Sequence, residues 1–191
     1  MKKIAIIDNH DSFTGILGQY IERAGAKVLI VPENEADIEE VKSFDGVVFS
    51  PGPDIPQTGN VMEQILGSVG PRFPVLGICL GHQAIGKFFG AQLKHLDEVR
   101  HGQKRQIQVV DEKDLLFRGL PRHFDAGLYH SWVIEKERVP DNLIVTAMAD
   151  TGNIMAIKHR KLPVWGVQFH PESYMTEVGL EVLGNWINLE P

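Results

Sequence analysis

The sequence predicts an α/β fold: an open, mainly parallel central sheet with helices on both faces, extended by added antiparallel strands. Two observations lead there. Over residues 1–90 short apolar runs alternate with amphipathic segments, whereas later apolar runs follow one another with little helix between them. Strands separated by helices imply βαβ units and a parallel sheet buried on both faces. Strands that succeed one another directly imply antiparallel pairing.

The expected parallel strands are Lys3–Ile7, Lys27–Val31, Gly46–Phe49 and Val75–Ile78, each a short run rich in Ile and Val. Between them, apolar residues recur at helical spacing near Ser12–Ala24, Glu35–Ser43, Val61–Gly70 and Leu80–Phe89. In the second half, Arg105–Val110, Ile144–Ala149, Ile154–His159 and Val164–Val167 are expected strands, and Glu177–Leu189 is a closing helix. These later strands either extend the first sheet or build a small second one. No internal repeat or linker-like stretch interrupts the pattern, so residues 1–191 read as a single domain.

Composition narrows the function classes. A formal charge of −6 and the lack of long Lys/Arg runs argue against nucleic acid or an anionic membrane as partner. No apolar stretch approaches the ~20 residues that span a bilayer, and the opening Ile4–Ile7 run stops at Asp8, too soon for a signal peptide. The single cysteine, Cys79, forbids an intramolecular disulfide and any multi-Cys metal site. A cytoplasmic protein is expected.

Ligands of open α/β sheets bind at the carboxyl ends of the parallel strands, so the strand exits were the places to look for chemistry. The richest is Gly77-Ile78-Cys79-Leu80-Gly81-His82-Gln83. Small residues two positions either side of Cys79 permit a tight strand-to-helix turn that holds a nucleophile out of the sheet. The positive end of a helix starting there favours the thiolate. Taken alone, a cysteine is more often buried and inert; the glycine frame at a strand exit reverses that reading. His82, three residues on, is expected to support the fold.

A nucleophile of this kind needs a base. Val167-Gln168-Phe169-His170-Pro171-Glu172 delivers His170 at a strand end, and residues two apart on an extended chain point the same way. Glu172 could therefore hold the His170 imidazole in the useful tautomer. Alone, a His-Pro-Glu run is more often a turn, and His101 and His130 remain as other site-lining histidines. Donors for an oxyanion are available at the Leu80 N–H, in the first helical turn, and at Gly52 of Ser50-Pro51-Gly52-Pro53, where no side chain blocks close approach. By itself, Pro-Gly-Pro is commonly a simple turn.

Together these pieces resemble the triad (class I) glutamine amidotransferases, a family with a flavodoxin-like fold. Three motifs carry the resemblance across most of the chain: Ser50–Pro53, Gly77–Gln83 and Gly166–Ser173. The opening Asp8-Asn9-His10-Asp11-Ser12-Phe13, with Arg100-His101-Gly102 and Tyr129-His130-Ser131, is similar to the small subunits of anthranilate synthase and of aminodeoxychorismate synthase. The resemblance implies Cys79 as nucleophile, His170 as general acid/base and Glu172 as its orienting partner. It implies glutamine binding and oxyanion contacts from Gly52, Pro53, Asp54, Leu80, Gln83, Ser131 and Trp132, and gives the Asp8–Phe13 stretch no catalytic role. It also implies a chorismate-binding synthase subunit as partner and no metal or other cofactor in this chain, any magnesium belonging to that partner. The chain departs from the usual family pattern at Asp54, Gln103, Leu128 and Trp132, leaving the three reacting residues intact.

Other readings of the residues are less well supported. An FMN-binding module would want a phosphate cradle after the first strand, where Asp8 and Asp11 would repel it. A response regulator would want an Asp at the exit of the third strand, where Ser50-Pro51-Gly52-Pro53 stands. A γ-glutamyl hydrolase would share the nucleophile and histidine but not the whole motif set.

Overall fold

The computed structural model describes residues 1–189, and the side chains of residues 97–101, Arg100 and His101 of one motif among them, lie outside that description. Nine strands and five α-helices follow one another as β1 (Lys3–Asp8), α1 (Thr14–Arg23), β2 (Lys27–Pro32), α2 (Ile38–Lys42), β3 (Gly46–Phe49), α3 (Val61–Ser68), β4 (Val75–Ile78) and α4 (Leu80–Phe88). Then come β5 (Leu93–Val109), β6 (His123–Ile134), β7 (Leu143–Ala149), β8 (Ile154–His159), β9 (Val164–Val167) and α5 (Gly179–Ile187).

All nine strands join one sheet in the order β2-β1-β3-β4-β9-β8-β7-β5-β6. The first five are parallel and the rest are antiparallel extensions. No separate second sheet exists among the described residues, because β5 pairs with β7 through Ile107–Val109 and so carries the β5–β6 ribbon on the main sheet. The remainder of β5 pairs only with β6, from Leu93↔Ile134 onwards.

The parallel strands alternate their apolar side chains between two cores. Ile4 and Ile6 of β1, Val48 of β3 and Leu76 and Ile78 of β4 pack with Leu17 and Ile21 of α1 and Val182, Leu183 and Trp186 of α5. Ala5, Ile7, Val47, Phe49 and Val75 face the other way, against Val41 of α2, Met62, Ile65 and Leu66 of α3 and Ala84 and Ile85 of α4. Burial on both faces is the reason these strands read as continuous apolar runs.

Helix starts have local causes. The Asp37 and Asn60 side chains accept hydrogen bonds from Glu40 and Glu63 N–H groups, capping α2 and α3. From β1 the chain steps to β2 on one side and then to β3 on the other. That reversal opens a crevice at the carboxyl ends of β1 and β3, with β4 and β9 alongside.

Candidate functional site

Cys79 sits between β4 and α4 with φ 52° and ψ −100°, a backbone conformation that non-glycine residues rarely hold. Packing enforces it. A Cβ on Gly77 would collide with the Gly81 carbonyl, and one on Gly81 would lie 2.7 Å from the Phe49 carbonyl oxygen. The elbow thus closes onto its own first helical turn and onto β3, while the Cys79 N–H donates to the Val167 carbonyl of β9 at 2.8 Å. Strain of this kind persists only where the surroundings over-determine it.

His170 leaves β9 beside this elbow. Its Nδ1 lies 2.6 Å from Glu172 Oε1, and both side chains are almost fully buried. The His170 N–H donates to the Gly127 carbonyl of β6, and the Thr176 hydroxyl donates to the His170 carbonyl, so the backbone is pinned from two sides. With Nδ1 engaged, Nε2 is left over for Cys79 and holds no other partner among the described residues. Burial pulls the imidazole towards its neutral form. The Glu172 carboxylate and then Cys79 outweigh that pull, holding His170 well above its ordinary range. The protonated form needed by a general acid therefore persists at neutral pH.

Beside the sulfur lies a cavity of about 120 Å³ lined by Gly52, Pro53, Asp54, Leu80, Gln83, Ser131 and Trp132 together with Cys79, Tyr129 and His130, the last a histidine the sequence offered as site-lining. All seven residues expected to contact glutamine or its oxyanion border this one space. The β3 exit loop is fixed to the β1 exit: Asn9 N–H donates to Ser50 Oγ at 2.9 Å and Asn9 Nδ2 to the Ser50 carbonyl at 2.9 Å. Gly52 is wedged between Leu80 and Asn9, where an added Cβ would be 2.6 Å from Leu80 Cδ2. Asp54 has φ 61°, the left-handed region. Aspartate is among the few side chains that tolerate it.

Three residues at the site were not singled out from the sequence. The Tyr129 and Phe13 rings meet the His170 imidazole at centroid distances of 4.8 and 6.2 Å, and Phe13 also packs on Tyr129 at 5.6 Å. The opening motif therefore braces His170 from behind. Within that motif Asp8 accepts from the Asp11 N–H and the Thr14 hydroxyl. Burial raises the Asp11 carboxyl above its usual range, against the Phe13 N–H that lowers it. The third is Gln168, fully buried, whose Nε2 lies 3.5 Å from Cys79 Sγ. Gln168 follows directly on β9, and beyond it the chain bends. A turn closed by the Ser173 N–H on the His170 carbonyl at 3.2 Å brings Glu172 back to His170, in place of the extended run expected from the sequence.

His82 supports the fold, as expected. Its buried ring lies against β9, where a Cβ on Gly166 would be 2.8 Å from Nδ1. Burial lowers its pKa from 6.5 to about 4, opposed by the Gly166 backbone. The unfolded chain takes up this proton first as pH falls. The neutral His82 contribution is thus complete above pH 6.5 and is lost as pH drops towards 4, which amounts to roughly 3 kcal/mol. Urea midpoints should fall across that window in the wild type and fall less in His82→Gln. An equal slope in the variant would place the acid loss elsewhere.

The family model described as glutamine amidotransferase class-I matches residues 5–189. Anthranilate synthase component 2 of Cyanophora paradoxa is 40% identical, covering 97% of this chain and 98% of that protein. Aminodeoxychorismate/anthranilate synthase component 2 of Bacillus subtilis (strain 168) is 37% identical over 96% of this chain and 95% of its own length. A crystal structure from Thermoplasma acidophilum superposes with a TM-score of 0.85 at 27% identity, covering 98% of this chain and 92% of that one. The chain belongs to the class I glutamine amidotransferase family.

Proposed function

We propose that this enzyme is the glutaminase subunit of a two-component synthase, a single domain over residues 1–191 that releases ammonia for a chorismate-binding subunit in the cytoplasm. The observation that supports it best is the buried His170–Glu172 pair at 2.6 Å, whose remaining ring nitrogen is left for a cysteine held on a strained elbow.

The Cys79 thiolate attacks the side-chain amide carbon of glutamine, and the carbonyl electrons move onto oxygen, where the Gly52 and Leu80 N–H groups receive them. His170 gives its proton to the amide nitrogen, the C–N bond breaks and ammonia leaves a glutamyl thioester. His170 then takes a proton from water, the hydroxide adds to the thioester carbon, and glutamate departs as the thiolate re-forms. Glu172 carries the counter-charge of the imidazolium throughout. Gln83, Ser131, Trp132, Pro53 and Asp54 hold the substrate, and the chain needs no metal or organic cofactor of its own.

Anthranilate synthesis is the first assignment of the partner, because relatives along nearly the whole chain carry the name anthranilate synthase component 2. Aminodeoxychorismate synthesis, or service to both, is the second reading, since the Bacillus subtilis relative bears both names. Among the described residues no helix is long and apolar enough to cross a membrane.

The test adds the chorismate-binding subunit of each synthase type from the same organism to the purified chain, with chorismate. Glutamate release should be slow alone and rise steeply with the correct partner. Equal turnover with and without partners would remove activation by docking, and no glutamate under any condition would remove the glutaminase reading.

A further inference from the structure

We infer that Gln168 is a further catalytic residue, which donates a hydrogen bond to the reacting sulfur and is itself set by a relay running from the β6 ribbon. The inference rests on Cys79 being the nucleophile of the proposed reaction.

Three contacts, two of them buried and one part-buried, fix the direction of every donor. The Trp132 carbonyl on β6 can only accept, so the Gln83 group 2.9 Å from it is the amide NH₂. The same Nε2 lies 3.2 Å from the Gln168 side chain, and two facing NH₂ groups would repel, so Gln168 presents its oxygen there. Its own NH₂ must then face Cys79 Sγ, at 3.5 Å. Neither amide can flip without placing like groups against one another. Bulk solvent offers little compensation, since Gln83 is 2% exposed and Gln168 not at all.

A donor in that position interacts more strongly with a thiolate than with a thiol, because hydrogen bonds to charged groups are the stronger ones. It also restrains the rotation of the Cys79 side chain, whose attack direction matters once glutamine is seated. Gln83 thus serves the sulfur through Gln168, while its Oε1, buried and without a partner among the described residues, remains as an acceptor at the cavity wall.

Alkylation of Cys79 by iodoacetamide reads this hydrogen bond without glutamine or a partner subunit: the thiolate sulfur bonds to the methylene carbon and iodide leaves. Gln168→Met keeps a similar length and removes the donor. At neutral pH it should alkylate about tenfold more slowly than the wild type, the lower end of what a hydrogen bond to a charged group contributes. Raising the pH until the thiol is fully ionised should restore the rate. Gln83→Met leaves the donor but unlocks its orientation and should shift the profile the same way by less. An unchanged profile in Gln168→Met, or equal slowing at every pH, would make Gln168 a packing residue. If Gln168→Met does not fold, an unchanged profile in Gln83→Met overturns the relay. A failure of the nucleophile assignment on which this rests is seen separately, as glutamine use that survives Cys79→Ser.

Discussion

Cys79→Ser is expected to reduce glutamine-dependent synthesis by on the order of 10⁴–10⁶, the scale of removing a nucleophile that acts with its base as one unit. Serine is nearly isosteric and meets the same backbone constraint at φ 52°, so the elbow, the cavity and the partner-facing surface should be retained. What changes is the chemistry. His170 lies in a site tuned for an imidazolium, with Glu172 and Cys79 both favouring the ring proton. It is poorly placed to strip the far more basic serine hydroxyl. Synthesis driven by added ammonium salts, which bypasses this subunit's reaction, should persist in the complex. Product formation with glutamine and with ammonium, measured side by side, distinguishes the outcomes. Glutamine use near the wild-type rate would overturn the nucleophile assignment.

Gly52→Ala should lower glutaminase kcat by about 10²–10³, the effect of one oxyanion donor, with a smaller change in KM. The added methyl would meet Leu80 Cδ2 at 2.6 Å, Asn9 Cβ at 2.8 Å and the Asn9 carbonyl oxygen at 2.9 Å. Leu80 can rotate its methyl away. Asn9 cannot yield as easily, since two hydrogen bonds of 2.9 Å tie it to Ser50 in the β3 exit loop. The loop itself must shift, and Pro51 and Pro53 leave few ways to do so. The Gly52 N–H is then carried away from the place proposed for the oxyanion. Overpacking of this sort costs about 1–3 kcal/mol of stability, so a thermal melt should accompany the kinetics. A variant with an unaltered kcat would show that Gly52 contributes space and no donor.

Much of this architecture was legible in the sequence because it rests on local patterns. The βαβ half is written in short apolar runs, and each parallel strand was located to within a residue at its ends, Lys3–Ile7 becoming β1 (Lys3–Asp8), for instance. Helices came out shorter than expected, α2 spanning Ile38–Lys42 where the pattern extends over Glu35–Ser43, since the Asp37 cap fixes the start. Cys79 is legible from its flanking glycines. His170 and Glu172 do meet, but through a turn closed by the Ser173 N–H on the His170 carbonyl rather than through the extended chain the sequence suggests.

The sequence by itself therefore determined four of the five parallel strands and the elbow. The parallel pairing of β9 with β4, where Val164–Val167 was expected among the antiparallel strands, was decided by the tertiary structure. Tertiary structure alone decided the β5–β6 ribbon and the second layer of the site. His123–Ile134 mixes Asp125, Gly127, Tyr129 and Ser131 with apolar residues, and most of Leu93–Gln106 is polar or charged, so neither segment declares a strand on its own. They become strands by pairing with each other, because strand preference depends on the cross-strand partner more than on the residue. The ribbon brings the Trp132 carbonyl to Gln83, the Gly127 carbonyl to the His170 N–H and the Tyr129 ring to the imidazole. Those contacts join residues 41 to 49 positions apart, and no local periodicity encodes them.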